Sequence, residues 1–539
     1  MYKKLKLFLI CLISAYISSY SQNISDALNY SSNSTQGTAR FNSMGGAFGA
    51  LGGDLSSVSI NPAGSAIFNN GHFSLSFGSD NKSNQASILN TTSNFDKKNF
   101  TLNQIGGVVT LDNLNEKDKW KKISFAISYN QTQNNFNEFS VYNFTNTNSI
   151  DSYFLNNAQG LRLDQISAFE NETITEAYVD IGSVYGNAHQ QAFLGYESFI
   201  IEPNEFSNEN SLYYSNVPSG SFTQTFRSIS RGYNGKLTAN IGFQYNKNIF
   251  LGVNLNSHFV DYDNYTIFNE SNNNGESGQF RINGVYFENR LSTFGEGFSA
   301  QFGMITKISE VVRFGLTYDT PTWFNIMEET RQYLETSMIN ELDETSLLIT
   351  NPNAINVYED YTLKTPSKVT ASTALVFNNF GLISFDYSRR DYGSMKFKPE
   401  NDIYFSDLNQ QISLRLKEVN TYRFGAEILA DRLSFRGGYM FQDSPYSSNT
   451  SSNSNTDDSI NSYSLGIGYK LNETTIDLSF VKIETSKYKR LYDTGLTNQV
   501  KVDTQNSLIT ISCSFYLDSQ FISKLVFFFG SFSYQCLLF

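Results

Sequence analysis

Stretch after stretch of this chain alternates apolar and polar residues with a period of two, and the stretches are long. Ile123, Phe125, Ile127 and Tyr129 alternate with Ser124, Ala126, Ser128 and Asn130. Leu237, Ala239, Ile241, Phe243 and Tyr245 alternate with Thr238, Asn240, Gly242 and Gln244. The pattern returns at Val312–Tyr318, Tyr463–Tyr469 and Ile509–Phe515. A period of two is that of a β-strand with two unlike faces. Core strands of soluble sandwiches run to about 5–6 residues. These run to ten or more, the length a tilted strand needs to cross a bilayer.

Fourteen strands can be drawn: 71–81, 100–112, 121–145, 232–246, 248–262, 284–306, 310–324, 358–377, 380–398, 413–429, 432–443, 459–471, 474–490 and 500–517. Short connections such as 246–248, 307–310, 378–379, 430–431 and 472–473 alternate with long ones at 146–231, 263–283, 325–357 and 444–458. Short periplasmic turns against long outer loops, with an even strand count, is the pattern of an outer-membrane barrel. Lipid cannot satisfy an open strand edge, so the sheet must close. The fold expected is all-β: a 14-stranded antiparallel transmembrane β-barrel over 71–517.

Lys3, Lys4 and Lys6 precede an apolar run from Leu5 to Ile17 and then Ser19-Tyr20-Ser21. This reads as a secretory signal peptide, 1–21. No later apolar run approaches the roughly 20 residues of a spanning helix. The net charge of −12 becomes −15 without the leader's three lysines, which argues against nucleic acid as a partner. Beyond Cys11 only Cys513 and Cys536 remain, too few for a disulfide scaffold. Residues 518–539 follow a plausible last strand and form an atypical C-terminal tail with no physical account.

Ahead of the first strand, 22–70 breaks the alternation. It holds Gly45, Gly46, Gly49, Gly52 and Gly53 among apolar residues, then Asn61-Pro62-Ala63-Gly64. Such a segment weakens helices and packs closely against other chain, so it reads as an insert within the barrel. The segment resembles the hatch of the FadL/TodX outer-membrane transporters of long-chain fatty acids and other hydrophobic compounds. Downstream, Gly295–Gly303 with Arg313–Tyr318, Tyr422–Glu427, Arg436–Tyr439 and Leu465–Tyr469 carry the same resemblance. It implies a hatch that blocks the lumen and a kinked third strand that opens the wall, so that a lipophile leaves sideways into the membrane. The mechanism this suggests is passive transport by a monomer, without cofactor or metal, in which lipophiles enter an apolar pocket above the hatch. The partners it implies are a hydrophobic small-molecule ligand, outer-membrane lipids and the barrel assembly machinery.

Strand 3 contains no glycine, so a kink there falls to Asn130, Asn134, Asn135 or a bulge among them. Alternation places Arg313, Asp319, Asp386, Arg423, Glu427 and Arg436 on the lumen face. They are read chiefly as a lattice that braces the lumen and docks the hatch, and secondarily as partners for a substrate carboxylate. Met327, Leu334, Met338 and Leu342 lie close to helical spacing in the expected loop 325–357 and are candidates for apolar capture at the outer face. His72, His189 and His258 are the only histidines. No metalloprotease, redox or nucleophile-elbow motif accompanies them, so an enzyme is not expected. The rivals to a lipophile carrier are a general diffusion porin for polar solutes and a structural or adhesive surface barrel.

Overall fold

Every long alternating segment pairs edge to edge with the next. The structure, a computed structural model, describes residues 23–31, 36–115, 117–377, 380–447 and 458–517. The expected leader, 1–21, and the tail, 518–539, lie outside the described residues. The fourteen barrel strands begin with β1 (Gly71–Ile88), β2 (Thr91–Asp112) and β3 (Trp120–Asn134 with Asn137–Asn146). β4 (Phe222–Tyr245), β5 (Ile249–Ser271) and β6 (Arg281–Lys307) follow. β7 comprises Val312–Asp319 and Trp323–Ile339, and β8 comprises Thr345–Thr350, Tyr361–Lys364 and Lys368–Phe377. β9 comprises Gly381–Asp391 and Lys396–Lys398. The last five are β10 (Glu418–Ala430), β11 (Leu433–Gln442), β12 (Ile460–Leu471), β13 (Thr474–Arg490) and β14 (Gln499–Leu517). Pairing is antiparallel throughout. β14 returns to β1 from Gly71↔Leu517 to Ser87↔Lys501 and closes the cylinder.

The two faces divide as a membrane wall requires. Phe298, Leu316 and Leu465 point outward and are about half exposed or more, while the adjacent Ser299, Thr317 and Ser464 are buried inward. Trp120 stacks edge-on with Tyr245 at the periplasmic rim, an aromatic girdle position. No helix among the described residues is long and apolar enough to cross a membrane.

Among the described residues six α-helices lie off the wall: α1 (Ile24–Ser31), α2 (Ala39–Ser43), α3 (Asp151–Ala158), α4 (Ile174–Tyr185), α5 (Asn187–Glu197) and α6 (Ile403–Arg415). α3 to α5 form a cap whose Phe154, Ile181 and Phe193 share one core with Phe268, Phe287, Leu334 and Val500 of the strand extensions. Thr173 and Glu176 start α4 with a reciprocal capping box.

Three expectations need correcting. Residues 82–99 are a hairpin continuing β1 and β2, with Lys82 opposite Lys97. Residues 325–357 are largely strand, so the near-helical spacing of Met327, Leu334, Met338 and Leu342 has no helix behind it. Met327 faces outward on β7, Leu334 enters the cap core with Met338 against it, and Leu342 stands 78% exposed in the tip turn. Met327 lies an odd number of residues from Leu334 and so on the opposite face, and Leu342 stands in the turn, so the four residues form no common capture patch. Finally, β10 begins at Glu418 rather than 413, because Asp402 caps α6 by accepting from the Tyr404 and Phe405 amides.

Candidate functional site

The N-terminal segment folds inside the cylinder. Thr38 caps α2 by accepting from the Phe41 amide, and its hydroxyl donates to Asp54 Oδ2 at 2.7 Å. Asp54 Oδ1 accepts from the Ser56 amide at 2.8 Å. Burial pushes the Asp54 carboxyl up, against the pull of Arg40 and these hydrogen bonds. Gly45, Gly46, Gly52 and Gly53 all sit at positive φ, between 61° and 72°, where other residues are strained. Asn61 caps the 3₁₀ turn Pro62–Ile67 by accepting from the Ala63 amide, while its own amide donates to Gly49 O and Met304 O. Asn-Pro-Ala-Gly is thus both a capped turn and a tie to the wall.

The wall is shaped to receive this segment. A Cβ on Gly438 would stand 2.3 Å from the Gly45 nitrogen, one on Gly315 2.1 Å from Gly49 O, and one on Gly252 2.3 Å from the Pro62 carbonyl carbon. Inward amides meet the carbonyls left over: Asn240 donates to Pro62 O at 2.9 Å, Asn254 to Val58 O at 2.8 Å and Gln301 to Ser59 O at 3.0 Å.

Four of the six lumen charges expected from the sequence act on this segment or on one another. Arg40 of α2 makes a bidentate pair with Glu427, at 2.9 and 2.8 Å. Arg436 donates to Glu427 as well and reaches Asp477 at 2.6 Å. Burial works against the charge on Arg40, but Glu427 outweighs it and holds the guanidinium above its ordinary range. Asp386 accepts from the Gly49 amide at 3.0 Å, and Arg313 donates to Leu51 O at 3.2 Å.

Arg423 and Asp319, the other two, lie higher and line a cavity of about 70 Å³ whose floor includes Ser59 and Ile60. Lys236, Lys368 and Arg390 line it too, with His258. The carboxylate in the lining is Asp319, held by Lys368 at 2.6 Å. An apolar pocket directly above the hatch was the expectation; this cavity is polar and cationic. Lys236, Lys368 and Arg390 were not singled out from the sequence, although their inward positions follow from the alternation.

The apolar space lies above, and α1 occupies it. Ala27, Leu28 and Tyr30 are buried in a cluster with Val260, Phe324, Ile326, Tyr361, Phe397 and Phe405. The Tyr30 hydroxyl donates to Thr293 Oγ1 at 2.9 Å and Glu328 Oε1 at 3.3 Å. Arg390 donates to Ser31 O at 2.9 Å, so one cation serves both the cavity and the helix. With α1 in place the cavity is well below the roughly 300–1,000 Å³ of ligand pockets.

The wall itself is interrupted on one side. β2 and β3 pair from Asp112↔Lys122 up to Gln104↔Asn130, and no higher. Just above, the register of β3 on β4 slips between Gln131 and Gln133. The strand breaks before Asn137, with Asn135 and Phe136 outside it. Asn134 donates to Asp80 at 2.8 Å and Asn135 to Asn234 at 3.0 Å. Gln133 donates to Asn29 of α1 at 2.8 Å, and the Gln36 amide to Gln131 O at 3.1 Å. The chain entering the hatch is therefore tied directly to the interruption.

The histidines stand apart. His72 packs between Phe68 and Tyr516, His189 stacks on Tyr185, and His258 lies 2.8 Å from Ser299 Oγ. Among the described residues no group of three or more His, Cys, Asp or Glu could hold a metal ion.

A closed fourteen-stranded cylinder, greasy outside and filled inside by its own leading segment, is a plugged barrel of the Gram-negative outer membrane. Residues 229–518, more than half of the chain, match the family of outer membrane protein transport proteins (OMPP1/FadL/TodX), and the chain belongs to that family. No curated protein matches it. A solved FadL homologue from Pseudomonas aeruginosa is 11% identical with a TM-score of 0.52, covering 90% of this chain and 99% of that one. The toluene transporter TodX of P. putida is 10% identical with a TM-score of 0.48, covering 89% and 99%. The toluene transporter TbuX of Ralstonia pickettii is 13% identical with a TM-score of 0.43, covering 89% and 99%. Family membership makes this an outer-membrane protein for the transport of hydrophobic molecules.

Proposed function

We propose that the chain carries acidic lipophiles, of which long-chain fatty acids are the type, passively across the outer membrane. The observation that supports this is the stacking of two unlike chambers above the plug. The upper one, now filled by Ala27, Leu28 and Tyr30, offers apolar surface for a tail. The lower one faces a head group with Lys236, Lys368, Arg390 and Arg423 against the single carboxylate of Asp319. Apolar burial at roughly 25 cal/mol per Å² supplies affinity without an energy source, and guanidinium groups suit a carboxylate. A neutral hydrocarbon would have no use for the cations. In this reading cargo takes the place of α1, and the departing helix releases Gln133 beside the wall interruption. The cargo then leaves sideways between β2 and β3.

Uptake of labelled long-chain fatty acid and labelled toluene, by cells relying on this protein, tests the reading. Saturable fatty-acid uptake that falls in Arg390→Ala and Arg423→Ala is expected. Equal uptake of both compounds, indifferent to those substitutions, would sink the acid preference. Removal of residues 37–64 should alter uptake if they gate it. The polar lining of the lower cavity favours one rival, a diffusion porin for polar solutes. Single-channel recording separates the two, since a steadily open ion-conducting pore contradicts a plugged carrier.

A further inference from the structure

We propose, on the reading of the chain as a carrier of acidic lipophiles, that Lys82 latches the wall interruption and that the cargo's own carboxylate releases it. The sideways exit then opens to acids and stays shut to neutral lipophiles. Above Gln104↔Asn130 no backbone ladder joins β2 to β3, and inward side chains of β1 close the seam instead. Lys82 donates to Asn134 O at 2.7 Å and to Phe136 O at 2.8 Å. Two residues below, Asp80 accepts from the Asn134 side-chain amide at 2.8 Å. Two residues above, Asn84 donates to Glu138 O and to Asn137 Oδ1, both at 2.7 Å. Alternate residues of one strand thus serve the polar groups of 134–138 that a continuous sheet would have paired. Such a seam parts without tearing a ladder.

The charges at the seam favour an acid. Lys97 on the inner face of the hairpin and Arg227 of β4 both pair with Glu138. Lys82 instead gives its hydrogen bonds to neutral carbonyls, while Asp80 and Lys487 of β13 are the charges that act on it. Four cations, Lys82, Lys97, Arg227 and Lys487, therefore meet two carboxylates, Asp80 and Glu138. An ammonium gains more from an ionised carboxylate than from neutral carbonyls. A fatty-acid head group can displace Asn134 O and Phe136 O from Lys82, and a neutral lipophile has nothing to offer in exchange.

The height suits an amphiphile. Phe77 of β1 stacks on the exposed Phe100 of β2, and Tyr129 of β3 stacks on Phe259. Beyond Phe77 the outward residues of β1 are Ser79, Asn81 and Ser83, so these rings mark the upper edge of the apolar band. Lys82 lies five residues beyond Phe77, about 12 Å along the membrane normal for a tilted strand. A carboxylate held there sits at the headgroup level while its tail hangs through the gap beside Asn130 into the acyl layer.

The test loads the full-length protein in liposomes with cis-parinaric acid or with its alcohol, cis-parinarol, and follows release to the bilayer by stopped-flow fluorescence. The ratio of the two release rates, acid over alcohol, should fall about tenfold or more in Lys82→Met, the weight of a hydrogen bond between charged groups. Binding of the acid in the lumen, read by calorimetry, should not change. Lys82→Arg should keep the native ratio, and so should Lys98→Ala, which removes an exposed lysine from the outer face of the same hairpin. Heat-modifiable gel mobility confirms that each variant retains its barrel. A ratio unmoved in Lys82→Met, or lost also in Lys82→Arg or Lys98→Ala, overturns the latch. So does a loss of lumen affinity in Lys82→Met, which would place the residue in the head-group cavity. No binding of parinaric acid by the native protein overturns the carrier reading and the latch with it, whereas binding with an unmoved ratio overturns the latch alone.

Discussion

The two halves of the lumen hold the same leading segment in opposite ways. In the periplasmic half, backbone meets backbone across glycines with no room for a methyl group, and a chain of alternating charges runs from Arg40 through Glu427 and Arg436 to Asp477. In the outer half, α1 is held by the side chains of Ile24, Ala27, Leu28 and Tyr30 and by a few side-chain hydrogen bonds. The first contact is specific in shape and charge, and no small molecule reproduces it. The second is generic apolar burial, which any lipophile of similar size can replace. A segment anchored below and exchangeable above can respond to cargo without leaving the barrel.

The comparison breaks most visibly at Glu427. Glu427→Ala takes from Arg40 and the buried Arg436 the carboxylate they share, and removing one partner of a buried ionic network costs about 3–5 kcal/mol. We expect limited proteolysis to cut residues 36–68 in the variant while the barrel keeps its gel mobility. An equally protected hatch would show that the glycine contacts suffice.

Leu28→Ala tests the other half. Truncating a buried leucine costs about 2–5 kcal/mol, here charged to the docking of α1. Amide hydrogen exchange across 24–31 should accelerate at least about tenfold, since roughly 1.4 kcal/mol is a factor of ten. Exchange across 38–45 should not change. Acceleration in both would mean that the two halves come loose together and that the contrast is false.

Much of this was legible in the chain, and the boundary of legibility is physical. Where the wall meets lipid, one face must be apolar, so Val312–Tyr318 and Tyr463–Tyr469 declare strand, face and lumen residues at once. Above the bilayer that constraint ends. Residues 91–99 of β2 are Thr, Ser, Asn, Asp and Lys beside one Phe, with both faces wet, and the periodicity that reveals a strand is gone. The ties of Arg313, Asp386 and Glu427 to the hatch rest on inward positions that alternation gives, but their partners lie hundreds of residues away. Asn240, Asn254 and Gln301 were invisible as hatch contacts for the same reason: an inward amide shows its direction, not the carbonyl it will meet. α1 was hidden because its seat rests on a few residues, Ile24, Ala27, Leu28 and Tyr30, of a Ser- and Asn-rich stretch.

The cationic cavity sharpens the comparison at the join of the two halves. Arg390 binds Ser31 O and faces the cavity, so Arg390→Ala removes a charged hydrogen bond from α1 and a cation from the head-group site. Hydrogen bonds to charged groups contribute about 1.5–3 kcal/mol. We expect fatty-acid affinity, measured by calorimetry, to fall about tenfold or more. Arg423→Ala should weaken binding without loosening α1, since Arg423 donates to Ser388 of the wall rather than to the helix. If both variants change hydrogen exchange of α1 alike, the cavity and the helix seat are one site.

The smallest effect is expected at the wall. Gln133 gives one hydrogen bond to Asn29 at the slip in β3, and a neutral side-chain bond contributes about 1 kcal/mol. Gln133→Ala leaves the barrel and the hatch untouched and should raise exchange of α1 by no more than about tenfold. Its use is directional. If cargo leaves through the interruption between β2 and β3, loosening this tie should raise the rate of fatty-acid release into proteoliposomes while leaving affinity nearly unchanged. A matching loss of affinity would instead place Gln133 among the groups that hold cargo. No change in either would uncouple the helix from the wall, and α1 would then guard the chamber without governing the exit.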